Sequence, residues 1–155
     1  MHHVIGIDAS AVQLALARSA VPTALLIQAD IARFALRPES VDAVASFYAL
    51  GHVPSDLHMP LLSSIASWLR PGGLLLTSAP VSAGDEKDDS WLGVPMFFGG
   101  IGMDATRQAI ADVGLHLENM EVVEEDEGDG HLARFIWIIA KKPTGGLSGV
   151  ADPER

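Results

Sequence analysis

Val4-Ile5-Gly6-Ile7-Asp8, with Ala9-Ser10 after it, is the stretch whose reading decides the fold. A short run of β-branched and apolar residues that ends on an acid is too short for a buried helix and reads as a buried strand. Ser10 and Gln13 then stand at capping-box spacing, where the hydroxyl and the amide can each satisfy a free backbone N–H. A helix is therefore predicted to run through Leu14, Leu16 and Ala17, with Pro22 just past its end. Ala24-Leu25-Leu26-Ile27-Gln28 is a second apolar run, closing at Ala29-Asp30. Strands alternating with helices in this way imply parallel strands.

The pattern continues outward from this unit. Arg37 to Ser40 is turn-like, and Val41 to Phe47 reads as a third strand with Val41, Val44 and Phe47 as core candidates. Leu61, Leu62, Ile65, Trp68 and Leu69 recur at helical spacing. Arg70-Pro71-Gly72-Gly73 stops that helix, with glycine as the expected left-handed cap. Leu74 to Ser78 is a fourth strand, followed by an expected loop of roughly two dozen residues. Asp104 is the expected N-cap of a helix from Ala105 to Val113, and Gly114 its end. Two final strands, near Leu115–Val123 and Arg134–Ala140, flank the acidic stretch Glu124–Asp129, read as a solvated hairpin tip. Alternating strands and helices predict an α/β fold: a Rossmann-like, mainly parallel sheet with helices on both faces. The last two strands have no helix between them and should form an antiparallel C-terminal hairpin. One domain is expected over residues 1–143, with a Gly-, Ser- and Pro-bearing tail, 144–155, expected to be disordered.

Composition narrows the function classes. A chain of 155 residues, 48% of them hydrophobic, suits one domain with a real core. A net charge of -10 repels phosphate backbones and anionic bilayers, which argues against nucleic acid and membrane as partners. There is no cysteine, so disulfides and thiolate metal sites are excluded and a reducing, cytoplasmic setting fits. No apolar run approaches the roughly 20 residues that span a bilayer, and Met1 to Gly6 lacks the pattern of a signal peptide.

In open α/β sheets the ligand lies beyond the carboxyl ends of the strands. Asp8 ends the first strand, where its carboxylate can accept both hydroxyls of a ribose. Asp30 ends the second, where it can accept from an adenine amino group while the Ile31 backbone reads the ring edge. Phe47, Tyr48 and Ala49 end the third and could wall the adenine or methionine portion of such a ligand. Each acid has an equally simple local reading, because Asp favours helix caps and turns. Two acids at successive strand ends favour a nucleoside.

Four stretches carry a family resemblance: Val4 to Ser10, Gln28-Ala29-Asp30, Val41-Asp42-Ala43-Val44-Ala45-Ser46, and Trp68-Leu69-Arg70-Pro71-Gly72-Gly73-Leu74-Leu75-Leu76. In order, they resemble motifs of the class I S-adenosylmethionine-dependent methyltransferases. The end of the chain, Gly114 to Lys142, is similar to that family's closing hairpin, so the resemblance covers residues 4–142. It implies S-adenosylmethionine as cofactor, Asp8 with Ala9 at its ribose, and Asp30 with Ile31 at its adenine. Family members also carry a strand and a glycine-rich loop ahead of the Asp8 strand. Only seven residues precede Asp8 here, so an N-terminally truncated methyltransferase fold is expected. That implies impaired cofactor binding. The strands ending at Asp8 and Phe47 would keep open inner edges or pair with each other. The chain alone would then be marginally stable, or form a homodimer across the open sheet edge.

Trp91, Met96, Phe97 and Phe98 fall in the long loop, which in the family shapes the pocket of the methyl acceptor. They could exclude water there, or simply plug the core. His52, His58 and His131 can ionise near neutrality, and His52 is the best placed as a base. A structural role is the commoner fate of such a histidine. No histidine pair has zinc spacing, and the family needs no metal. The transfer mainly requires in-line alignment, which suits the lack of a catalytic triad. Ser78 and Ser82 lack the setting of a hydrolase nucleophile, and Tyr48 is followed four places on by His52 rather than by a dehydrogenase's lysine. The reading is a methyltransferase for an unidentified small molecule. The alternative is a non-catalytic remnant or a partner-binding Rossmann-like module.

Overall fold

The computed structural model describes residues 2–91, 93–126 and 132–145. The chain divides into two compact units, Met1–Leu36 and Arg37–Arg155. His131, residues 146–155 of the expected tail and residues 127–129 of the acidic tip lie outside the described residues.

The first unit is β1 (Ile5–Asp8), α1 (Ala11–Ala20) and β2 (Leu25–Gln28). β1 and β2 are parallel, with Ile5 opposite Leu25 and Asp8 opposite Gln28. A Cβ on Gly6 would stand 2.8 Å from Leu26 Cδ2, so glycine is what lets that leucine lie across β1. Ser10 caps α1 as expected: its Oγ accepts the Gln13 N–H at 3.3 Å. None of the described residues 2–36 is fully buried, and Val12 and Leu16 of α1 are 69% and 61% exposed. Main-chain bonds therefore carry more of this unit's order than apolar burial does.

The second unit holds β3 (Val41–Ser46), two single 3-10 turns (Leu50–His52, Ser55–Leu57), α2 (His58–Trp68) and β4 (Leu69–Pro80). There follow β5 (Ala83–Trp91), β6 (Val94–Ile101), α3 (Met103–Asp112), β7 (His116–Asp126) and β8 (Leu132–Lys141). Its main sheet has the order β3-β4-β8-β7, and β5 and β6 form a separate hairpin. The core is one face of the main sheet. Leu75, Thr77 and Ala79 of β4 and Ile136, Ile138 and Ala140 of β8 are buried, as the two-residue period of a strand requires. Against them lie Leu61, Leu62 and Ile65 of α2 and Ala109 and Ile110 of α3, all buried. The two helices touch each other as well as the sheet, so within this unit they share a face rather than covering both.

Several expectations need correction. The fold is α/β, but its sheets are mixed. β1–β2 and β3–β4 are parallel, whereas β4–β8, β7–β8 and β5–β6 are antiparallel. The reason is that β8 inserts between β4 and β7 and so makes two antiparallel ladders rather than one. The expected long loop is mostly the β5–β6 hairpin, with Glu86 opposite Phe98 and Asp88 opposite Met96. Backbone pairing, which needs no hydrophobic alternation, turns the charged run Asp85-Glu86-Lys87-Asp88-Asp89 into a strand. Gly72 does not cap α2. That helix ends at Trp68, Leu69 is already extended, and Gly72, at φ 83°, donates its N–H to the Lys142 carbonyl from within β4. Asp104 is not the N-cap of α3. Gly102 holds that place, and Thr106 donates its hydroxyl back to the Gly102 carbonyl at 2.6 Å. Asp104 sits in the first turn, where its charge suits the helix dipole. Gly114 does end α3, at φ 78° with its N–H on the Ala111 carbonyl. Phe47 lies past the end of β3 and is 41% exposed, outside the core.

Candidate functional site

In the first unit, parallel pairing carries β1 and β2 to the same end of their sheet, so Asp8 and Asp30 stand at that one end. The Asp8 carbonyl accepts the Ala29 N–H at 3.1 Å and extends the ladder past Gln28. Each acid has one oxygen in a local turn. Asp8 Oδ1 accepts the Ser10 N–H at 2.7 Å, and Asp30 Oδ1 accepts the Ala32 N–H at 2.9 Å. The second oxygen of Asp30 is 3.6 Å from Arg33 Nε, an exposed pair of little energetic weight. The local reading of both acids is thus observed. It also fixes their rotamers, so that the other Asp8 oxygen is held in place. Ala9 is exposed and Ile31 half-buried beside these carboxylates. The Ala9 carbonyl accepts from Gln28 Nε2 at 3.0 Å, which ties the two strand ends together.

In the second unit, the carboxyl end of β3 leads into Phe47 and Tyr48. Phe47 stacks on Trp137 of β8, with centroids 4.9 Å apart and planes at 27°. Tyr48 meets Phe135 edge-on at 4.9 Å, and its hydroxyl donates to Glu125 Oε2 at 2.5 Å. Tyr48 adopts φ 58°, unusual for a residue with a side chain, and its N–H donates to the buried Ser78 Oγ at 2.8 Å. Ser78 is the acceptor that holds the turn. The indole N–H of Trp137 is buried and has no hydrogen-bond partner among the described residues.

His52, Trp91, Met96, Phe97 and Phe98 gather around the β5–β6 hairpin. His52 Nδ1 lies 3.0 Å from the Phe97 carbonyl oxygen, and its ring is 5.7 Å from that of Phe98. A carbonyl can only accept, so Nδ1 carries the hydrogen and the neutral ring has its lone pair on Nε2. Trp91 packs edge-on to Phe98 at 5.0 Å, while Met96 is half-buried farther along β6. Phe98 also lines a cavity of about 250 Å³ together with Pro80, Asp85, Glu86, Gly99 and Gly100. Asp85 Oδ1 accepts the Ser55 N–H at 2.9 Å, which anchors the hairpin beside the His52 turn. His58 is elsewhere: it is buried at the start of α2, with Nε2 donating to the Val53 carbonyl at 3.0 Å. The sequence singles out the aromatic residues and His52 as candidates but not Glu125, Trp137 and Asp85, which the fold brings against them or their neighbours. The partners of these three are 30 or more positions away, and no local pattern marks them.

Residues 1–73 match the family described as a methyltransferase domain. A search of curated proteins returned no matching sequence. Among solved structures, a S-adenosylmethionine-dependent methyltransferase from Methanosarcina mazei superposes with a TM-score of 0.76 at 15% identity, covering 92% of this chain and 83% of that one. One from Mesorhizobium loti gives 0.70 at 22% identity, covering 90% and 80%. The 1,6-didemethyltoxoflavin-N1-methyltransferase of Burkholderia thailandensis, solved with that substrate and S-adenosylhomocysteine, gives 0.66 at 15% identity, covering 92% and 62%. The strand ends, the closing hairpin and these likenesses define a methyltransferase fold. Residues 1–73, just under half of the chain, match that methyltransferase-domain model, and the likeness over the rest of the chain is one of fold.

Proposed function

We propose that this chain binds S-adenosylmethionine and methylates a small molecule. The supporting observation is in the first unit: Asp8 and Asp30 share one end of a parallel strand pair, and Asp8 keeps one oxygen open while Ser10 fixes the other. The donor set suits a nucleoside. The open Asp8 oxygen would accept from the ribose hydroxyls beside Ala9, Asp30 from the adenine amino group, and the Ile31 backbone would meet the ring edge. When bound, the cofactor supplies an electrophilic methyl on a sulfonium.

The second unit's share rests on its own groups. Phe47 and Tyr48 would offer ring faces to the cofactor, and Trp91, Met96, Phe97 and Phe98 would exclude water on the side of the methyl acceptor. His52, with Nδ1–H on the Phe97 carbonyl, would take the acceptor's proton at Nε2. Residues 1–143 would act as one methyltransferase domain. Calorimetric titration with S-adenosylhomocysteine tests the reading. The expectation is one-to-one binding that Asp8→Ala weakens by at least about tenfold. Absence of binding, or binding indifferent to Asp8, would refute it.

A further inference from the structure

We propose that the Met1–Leu36 unit is folded by its ligand: with no nucleoside bound, β1, α1 and β2 open while the core of the other unit stays closed, and a nucleoside bonded to both Asp8 and Asp30 draws them together. The low stability of the unit follows from its own packing. The identity of the ligand rests on the cofactor reading.

Apolar burial is the main force that closes a fold. None of residues 2–36 is fully buried, and the exposed side chains include Val4 at 49%, Leu25 at 60%, Ile5, Val12, Leu16 and Val21. In the second unit Leu69, Leu75, Ile110 and Ile136 are wholly buried. The elements of the first unit are also short. β1 and β2 have four residues each and form a two-stranded parallel sheet. Two strands alone are marginal in water, and parallel strands need cover on both faces, where this unit supplies one helix. α1 has ten residues, fewer than the roughly 12–15 at which an isolated helix holds. The free energy that opens this unit is therefore well below the one that opens the second.

The two acids stand where a ligand acts on that balance. Asp8 ends β1, and Asp30 follows the end of β2. Within the chain the strand ends are joined there by the Ala29 N–H on the Asp8 carbonyl and by Gln28 Nε2 on the Ala9 carbonyl. A nucleoside bonded to both carboxylates adds a further bridge from one strand to the other. That bridge exists only while β1 and β2 are paired, so the ligand binds the closed unit and not the open one. Closure then rises with ligand by mass action, and the apparent affinity is that of the closed unit multiplied by the fraction already closed. A substitution that changes the stability of α1, without touching the ligand, therefore changes the affinity.

The test is hydrogen exchange of the full chain, read by mass spectrometry with and without saturating S-adenosylhomocysteine. Without it, amides of residues 5–8, 11–20 and 25–28 should exchange at least about a hundredfold faster than the paired amides of β4 and β8. With it, they should slow at least about tenfold, while β4 and β8 change little. Ala15 and Ser19 are exposed on α1, past its first turn. Ala15→Gly loosens the helix and should weaken S-adenosylhomocysteine about fivefold, and Ser19→Ala firms it and should tighten binding about twofold. Ligand-free protection of β1 and β2 equal to that of β4 and β8 overturns the proposal. So does an Ala15→Gly chain with the affinity of the parent. Calorimetric binding with no added protection overturns the coupling alone and leaves the cofactor reading in place. No calorimetric binding overturns the cofactor reading, and with it the ligand named here.

Discussion

Asp8 accepts the backbone N–H of Ser10 through Oδ1 at 2.7 Å, and Ser10 in turn accepts the Gln13 N–H that opens α1. Two uses of one carboxylate can therefore be separated. Asn at position 8 keeps an oxygen for the Ser10 N–H but loses the charge and one accepting oxygen. Asp8→Asn should leave the thermal transition within about 1 kcal/mol of the parent while S-adenosylhomocysteine affinity falls roughly tenfold. Asp8→Ala should lose both. Calorimetric titration and a melting curve on the same samples check this.

Lys142 ties the end of α2 to the end of β8. Its Nζ donates to the Ala66 carbonyl at 3.0 Å and the Leu69 carbonyl at 2.8 Å, orphan acceptors at the helix terminus. Lys142→Met keeps the stem but leaves both carbonyls without that donor. The expected loss is about 1–3 kcal/mol in urea unfolding. Glu39 lies 3.7 Å from the same ammonium, partly in solvent, and Glu39→Gln should cost less than about 1 kcal/mol. Equal losses from the two would show that the ion pair, not the capping, is what matters.

Gly99 lets β6 approach the chain segment that carries His52. A Cβ there would sit inside the contact distance of the Val53 carbonyl oxygen, which is backbone and cannot swing away. Gly99→Ala should cost about 1–3 kcal/mol as overpacking and shift the hairpin off that segment. The His52–Phe97 bond should loosen with it. The NMR signals of the His52 ring would report that change, and an unchanged ring environment with full stability would contradict it.

His52→Asn should lower the methylation rate by about a hundredfold on an acceptor that must lose a proton. S-adenosylhomocysteine binding should be unaffected. A rate within a factor of about two of the parent would return His52 to a purely structural role, as a brace between its 3-10 turn and β6.

Local features were legible in the sequence. The Ser10–Gln13 cap, the end of α3 at Gly114 and the strands around Asp8 and Asp30 depend on residues within a few positions, so spacing alone finds them. The β5–β6 hairpin was not legible. Ala83 to Trp91 lacks alternation, and only Val94 to Ile101 alongside makes it a strand. The Gly72 and Asp104 expectations failed for a related reason. Each residue suits a cap, but Lys142 and Gly102 supply those functions instead.

By itself the sequence determined the α/β class, the parallel strand–helix–strand opening and the acids at its strand ends, because these follow from short-range propensity and apolar period. Tertiary structure alone decided where β8 would insert, and with it the mixed sheet. It also decided which distant group each exposed polar atom would meet. Tyr48 and Glu125 are 77 positions apart, and their hydrogen bond exists only because β8 carries Phe135 and Trp137 up against the end of β3. The entropy cost of closing a contact over that distance is offset by the burial of Leu75, Ile136 and Ile138 beneath it, a free energy spread over the whole core rather than written in any one segment.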